Sequence, residues 1–139
     1  SIFWDKKNPK NSHFSSVISV KSINTNHKKR DIHLKKNDFF DARRFPYIKF
    51  KSTSISKKNN IYFVEGNLTI KNKTKLISFP LITTGPIEDL NGKKRLGFES
   101  NFFINRKDFN IKWNKKMKNG SMILANTVNI NLFIEAVEK

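Results

Sequence analysis

The chain has 139 residues, 37% hydrophobic, with 13 Phe and no Cys. That is one ordinary domain with apolar matter for one core or one lined cavity, and too ordered a composition for a disordered polymer. The missing Cys excludes a disulfide frame, a thiolate nucleophile and a thiolate zinc site. No uncharged apolar run approaches the ~20 residues of a membrane-spanning helix. The three histidines, His13, His27 and His33, lack metal-ligand spacing.

The formal charge of +17 invites a nucleic-acid reading. The basic residues, however, are 23 Lys and only 5 Arg, beside 18 Asn and 16 Ile, a joint excess expected of an AT-rich genome. The charge is also spread out, at 12 basic against 4 acidic over 1–50, 9 against 4 over 51–100, and 7 against 3 over 101–139.

Period-two alternation runs along nearly the whole chain. After a short stub at Ile2–Trp4, strands are predicted over Ser12–Ile23, Tyr47–Ser56, Ile61–Ile70, Thr74–Thr83, Lys94–Asn105 and Met122–Val137. Each puts one apolar face opposite a polar one, as half-buried antiparallel strands do. Turns are expected at Asn8-Pro9, Lys57–Asn60, Lys71–Lys73, Gly85-Pro86, Asn91-Gly92 and Asn119-Gly120. Pro80, inside a strand, predicts an edge or a bulge there. The one helical stretch is the connection Asn26–Asp41, with Asn26 as its cap, Ile32 and Leu34 facing inward, a second turn from Asn37 and a stop at Pro46. Long antiparallel strands with one short helical crossover predict an all-β barrel or a strongly coiled sandwich.

Several segments in order resemble the YceI-like (polyisoprenoid-binding, lipocalin-like) proteins. They are VISVKSINT (17–25), KRDIHLKKNDFFDARRFPYIKFKST (29–53), VEGNLTIKNKTK (64–75), LGFESNFFINRKDFNIKWN (96–114) and VNINLFIEAV (128–137). Phe45 stands where the family usually has Tyr, and Asn110 where it usually has Gly; Asn tolerates a left-handed backbone. The resemblance implies a single domain forming an antiparallel lipocalin-like barrel, eight-stranded in the family, around a pore for a long isoprenoid or fatty chain. It also implies an exported protein, periplasmic or secreted, and a start at Ser1 that lies one to two strands into the domain. Two unpaired sheet edges would then favour strand exchange or a homodimer.

The candidate lining is the inward stripe Phe14, Ile18, Val20, Ile48, Phe50, Val64, Leu68, Phe79, Leu81, Phe98, Phe102, Ile104, Ile130, Leu132 and Ile134, with Ile77 and Val128 on the same stripe. By its residues alone the stripe fits a filled small barrel. The resemblance points instead to a lining, with Ser16 and Gly66 leaving room. Each CH₂ moved from water onto such a lining gains about 0.8 kcal/mol, so a bound isoprenoid or fatty-acid-like lipid is the one expected ligand. Arg30, Asp31, His33, Asp38 and Asp41 on the crossover are either a head-group contact or local structural pairs. Arg106 and Lys107 are either head-group ligands or part of a tight corner plugged by Phe109 and Trp113.

No catalytic grouping stands out, so a non-enzymatic carrier is expected. The basic runs at 28–30, 93–95 and 115–116 would favour an anionic membrane surface. The alternative is a basic β-barrel binding nucleic acid, which aromatic residues on the wet face would support. Only Phe63, Phe103 and Phe133 break the polar pattern there. A filled barrel serving only as an interaction module is a further alternative.

Overall fold

A computed structural model describes residues 1–138. Seven strands form one antiparallel sheet in chain order: β1 (Ile2–Phe3), β2 (His13–Ser19), β3 (Tyr47–Lys58), β4 (Ile61–Ile70), β5 (Lys73–Glu88), β6 (Lys94–Asn105) and β7 (Thr127–Val137). Among the described residues no pairing joins β7 back to β1. The sheet is nonetheless curled into a half-barrel, since Ile2 and Phe14 line the same small void as Leu81, Phe98 and Ile134 from the far strands. The all-β, lipocalin-like expectation therefore holds.

The inner face is apolar because the alternation is. Phe14, Phe50, Val64, Leu68, Phe79, Leu81 and Phe98 are all buried in one cluster. At its centre Phe14 lies 5.1 Å from Phe50, Phe50 5.5 Å from Phe79, and Phe79 stacks on Phe102 at 4.6 Å. Each such pair contributes about 0.5–1.5 kcal/mol beyond the area it buries. Trp4, just after β1, packs edge-on against Tyr62 at 4.7 Å and Phe98 at 5.2 Å. Gly66 sits beneath the Phe50 ring, where an added Cβ would overlap that ring and the Lys51 carbonyl oxygen.

Strands β4 and β6 run as the alternation predicts, and four others differ for local reasons. Strand β2 ends at Ser19 because Val20–Ser22 forms a 3-10 turn. Gly85-Pro86 is no turn but lies inside β5, where the pairing with β6 shifts between Thr84 and Ile87. Strand β7 begins at Thr127, as Met122 instead bridges to Lys116 within the preceding connection. A bulge between Ser52 and Ser54 reverses the phase of β3 and turns Ile55 inward. Pro80 marks a local edge rather than a bulge, since β5 is paired there on one side only. It pairs with Phe63 of β4, while the ladder to β6 runs from Ile82 to Glu88. The missing N–H thus costs no bond there, and the Ser100 hydroxyl donates to the Pro80 carbonyl.

The crossover holds one helix, α1 (Lys28–Leu34), followed by turns rather than a second helical turn. His27 is its cap, with Nδ1 accepting the Arg30 N–H at 3.2 Å; Asn26, the expected cap, stands before it in a left-handed conformation at φ 56°. Leu34 packs on the core, whereas Ile32, expected inward, is exposed. The outer face keeps Phe63, Phe103 and Phe133 exposed.

Three carboxylates pin connections. Asp5 accepts the N–H groups of Asn8 and Lys7 and the Asn11 amide. Asp31 accepts both the hydroxyl and the N–H of Thr25. Asp89 accepts the N–H groups of Lys93 and Asn91 and the Arg95 guanidinium. The bonds from Asn8, the Thr25 hydroxyl and Lys93 respectively are the main cause holding each carboxyl below its ordinary value.

Folding thus favours the ionised forms. The stability they supply is present above the unfolded carboxylate value of about 4 and is lost as pH falls through the lower folded values. Carboxyl-carbon NMR titration should find Asp5, Asp31 and Asp89 still ionised at a pH where exposed carboxylates have protonated. For the ring over Gly66, Gly66→Ala should destabilise by about 1–3 kcal/mol in urea unfolding.

Candidate functional site

The predicted lining residues divide into three groups. Phe14, Phe50, Val64, Leu68, Phe79, Leu81 and Phe98 are buried together, with Ile48, Phe102, Ile104 and Ile134 half-buried against them. Val20 is buried but lies on the 3-10 turn after β2, outside that cluster, its N–H bonded to the Pro46 carbonyl. Ile18, Ile130 and Leu132 are on the inward stripe but not enclosed by the cluster. Ile18 is 49% exposed and Val128 40% exposed, so the expectation that both are enclosed is corrected. The cause is positional: Ile18 lies past the reach of β1, which pairs only with His13 and Phe14, and Val128 stands at the start of the edge strand β7.

The interior is not a preformed tube. The void lined by Ile2, Trp4, Phe14, Leu81, Phe98 and Ile134 measures about 10 Å³, the room of about one water. The stacked rings fill the middle, and Phe50 occupies the space that Gly66 was expected to leave. An apolar border survives where β2 and β7 lack neighbours: Ile18 and Ile48, paired across β2 and β3, and Ile130 and Leu132 on β7.

Strand order puts three connections at one end of the half-barrel: residues 20–46, 71–72 and 106–126. That end is closed. Phe109 and Ile111 are buried there, and Trp113 packs 5.3 Å from Phe39 of the crossover. His33 stands edge-on to both rings and bonds Asp38 through Nε2 at 2.9 Å. Arg30 and Asp31 both bind Thr25, so these crossover groups are spent on local structure.

Arg106 is likewise spent. It is 5% exposed, and its guanidinium donates to the carbonyls of Ala125, Ile111 and Trp113 at 2.8–2.9 Å. The Asn105 carboxamide accepts the Lys107 N–H, and Asn110 closes the corner at φ 61°. The corner is therefore structural, with the Arg106 guanidinium committed to backbone carbonyls. Ile55, Tyr62, Ile70, Phe109 and Ile111 also belong to the buried cluster although absent from the candidate lining. Tyr62 and Ile70 share the alternation of Val64 and Leu68, a legible signal, whereas Ile55 is hidden by the bulge.

Among the described residues every fully buried side-chain nitrogen and oxygen has a partner, and no three of His, Asp or Glu gather where they could hold a metal. What the inner face offers chemically is apolar contact. Arg106→Leu should cost about 2–4 kcal/mol in chemical denaturation by stranding three carbonyls, whereas Lys107→Ala should stay within about 0.5 kcal/mol.

A YceI-like domain family model matches residues 1–136. UPF0312 proteins of Yersinia enterocolitica and Yersinia pseudotuberculosis are 40% identical over 111 residues, 80% of this chain. The match spans 58% of the length of these curated relatives. The crystal structure of the Campylobacter jejuni YCEI protein superposes with a TM-score of 0.84 at 29% identity, over 100% of this chain and 80% of that one. Burkholderia cenocepacia BcnA shares the fold, with a TM-score of 0.84 at 23% identity over 98% of this chain and 81% of its own. Motifs, curled sheet and matched length agree: the chain belongs to the YceI-like domain family.

Proposed function

We propose that this domain binds and sequesters or carries a long-chain apolar lipid, a polyisoprenoid or fatty-acid derivative, in an exported compartment, without catalysing a reaction on it. The observation that carries the reading is the apolar border at Ile18, Ile130 and Leu132, which continues the buried inner face out to solvent. A void of about 10 Å³ admits no chain, so the lipid enters between the two free borders of the sheet, at β7 and at the part of β2 beyond β1, and displaces ring contacts. Ring pairs at about 0.5–1.5 kcal/mol each are outweighed by a guest of ten or more methylenes at about 0.8 kcal/mol each. The few polar atoms of the inner face fit a ligand recognised by length and apolarity.

The exposed outer-face aromatics do not favour nucleic acid. Phe133 pairs with Glu99 and precedes Glu135, and Phe63 is followed two residues later by Glu65. Carboxylates beside Phe63 and Phe133 repel the phosphates that stacking bases would bring, and Phe103 stands opposite the uncharged Asn129.

Native mass spectrometry after incubation with farnesol or oleate should show a 1:1 adduct. Ile130→Asp, on the border, should weaken uptake at least tenfold while the unfolding midpoint stays near that of the unmodified protein. Absence of uptake of every long-chain probe by the folded protein would overturn the reading.

A further inference from the structure

The charge that is spread along the sequence is gathered by the fold. The connections 20–46, 71–72 and 106–126 meet at the closed end of the half-barrel, where the Lys71 ammonium donates to the Asn110 carbonyl at 3.1 Å and Trp113 packs on Phe39. They carry 15 of the chain's 28 basic residues against 4 of its 11 carboxylates, and of those cations only Arg106 is buried. The connections at the opposite end carry 4 basic residues and 2 carboxylates. The carboxylates of the closed end are largely committed: Asp31 bonds Thr25, Asp38 bonds His33, and Asp41 is buried beside Arg44. Among the described residues no lysine of this end is paired with a carboxylate.

The last of the three connections adds apolar contact to the charge. Its residues 115–123 fold into a small hairpin, in which Lys116 bridges to Met122. The Met117 N–H donates to the Ser121 carbonyl at 2.8 Å, and the Ile123 N–H to the Lys115 carbonyl at 2.9 Å. Leu124 ties the hairpin to the core. Met117, Met122 and Ile123 are 44%, 58% and 50% exposed, interleaved with Lys115, Lys116 and Lys118. Such a tip is complementary to an anionic bilayer: the apolar side chains enter the head-group boundary, and the lysine stems lie along it with their ammonium groups at the lipid phosphates. Nucleic acid is the poorer fit, because thioether and aliphatic side chains give a base no ring to stack on. We propose that the closed end of the half-barrel is a docking surface for an anionic membrane, with the hairpin 115–123 as its inserting tip. The docking surface lies on the outside of that end and stands whether or not the inner face takes a guest.

Flotation with vesicles of phosphatidylcholine alone, and of its equimolar mixture with phosphatidylglycerol, tests it. The anionic vesicles should bind the protein at least tenfold tighter, and added salt should erase most of that difference. Lys115→Gln with Lys116→Gln should weaken binding to the anionic vesicles at least tenfold, since each lysine near such a surface contributes about fivefold. Lys6→Gln with Lys7→Gln, at the opposite end, should leave binding within about twofold, because that end lies beyond the screening length. An environment-sensitive dye on Met122→Cys, the only thiol in the chain, should shift to the blue on anionic vesicles. The same dye on Leu90→Cys, fully exposed at the opposite end, should not shift. Equal binding to both vesicle types, equal loss in both double variants, or a dye at position 122 that stays in water would overturn the proposal. Duplex DNA bound more tightly than the anionic vesicles, and lost in the Lys115/Lys116 variant, would assign the surface to nucleic acid and overturn it as well.

Discussion

The molecule depends on how an all-apolar inner face is covered when the sheet does not close on itself. Seven strands leave two edges, and the curl brings those edges near each other without hydrogen bonds between them. Side chains therefore do what a closing ladder would do. The rings of Phe14, Phe50, Phe79 and Phe102 stack through the middle, and Trp4 reaches across to Tyr62 and Phe98. Under the proposed reading, an apolar guest parts these ring contacts and replaces what it takes away.

The two ends of the half-barrel are built differently. At one end three connections converge, and a buried arginine bonded to three carbonyls fixes the last of them. Burying that cation is tolerable only because its donors meet carbonyls in good geometry. The other end has short turns and the Trp4 contact. The border residues Ile18, Ile48 and Ile130 lie toward the closed end, beside the connections 20–46 and 106–126, while the register of β3 to β6 is set by their own ladders.

Much of the fold was legible because side-chain alternation is a direct record of a strand with one dry face. The bounds of β4 and β6 follow from it without correction. What alternation does not record is a shift of phase or of neighbours. Thr53 inserts into β3 and hides Ile55, and Gly85-Pro86 looks like a turn but bends a strand that continues to Glu88. Pro80 was legible as a local edge, because a residue without an N–H fits where β5 is paired on one side only. The resemblance to the family, carried by ordered motifs, identified the barrel class, which alternation alone left open. The candidate lining was legible as a face but not as a space. Whether Phe50 lies over Gly66 or leaves it bare depends on ring rotamers, and whether Ile18 is enclosed depends on how far β1 extends.

The central claim is that the inner face opens between β2 and β7 to take an apolar chain. It is tested most directly by intermolecular NOEs from a bound fatty acid to isotope-labelled methyl groups. Contacts to Ile18, Ile48, Ile130 and Ile134, with shifted Phe79 and Phe102 ring signals, are the predicted result. Contacts confined to outer-face positions such as Leu76 and Ile82, with the ring signals unmoved, would contradict it.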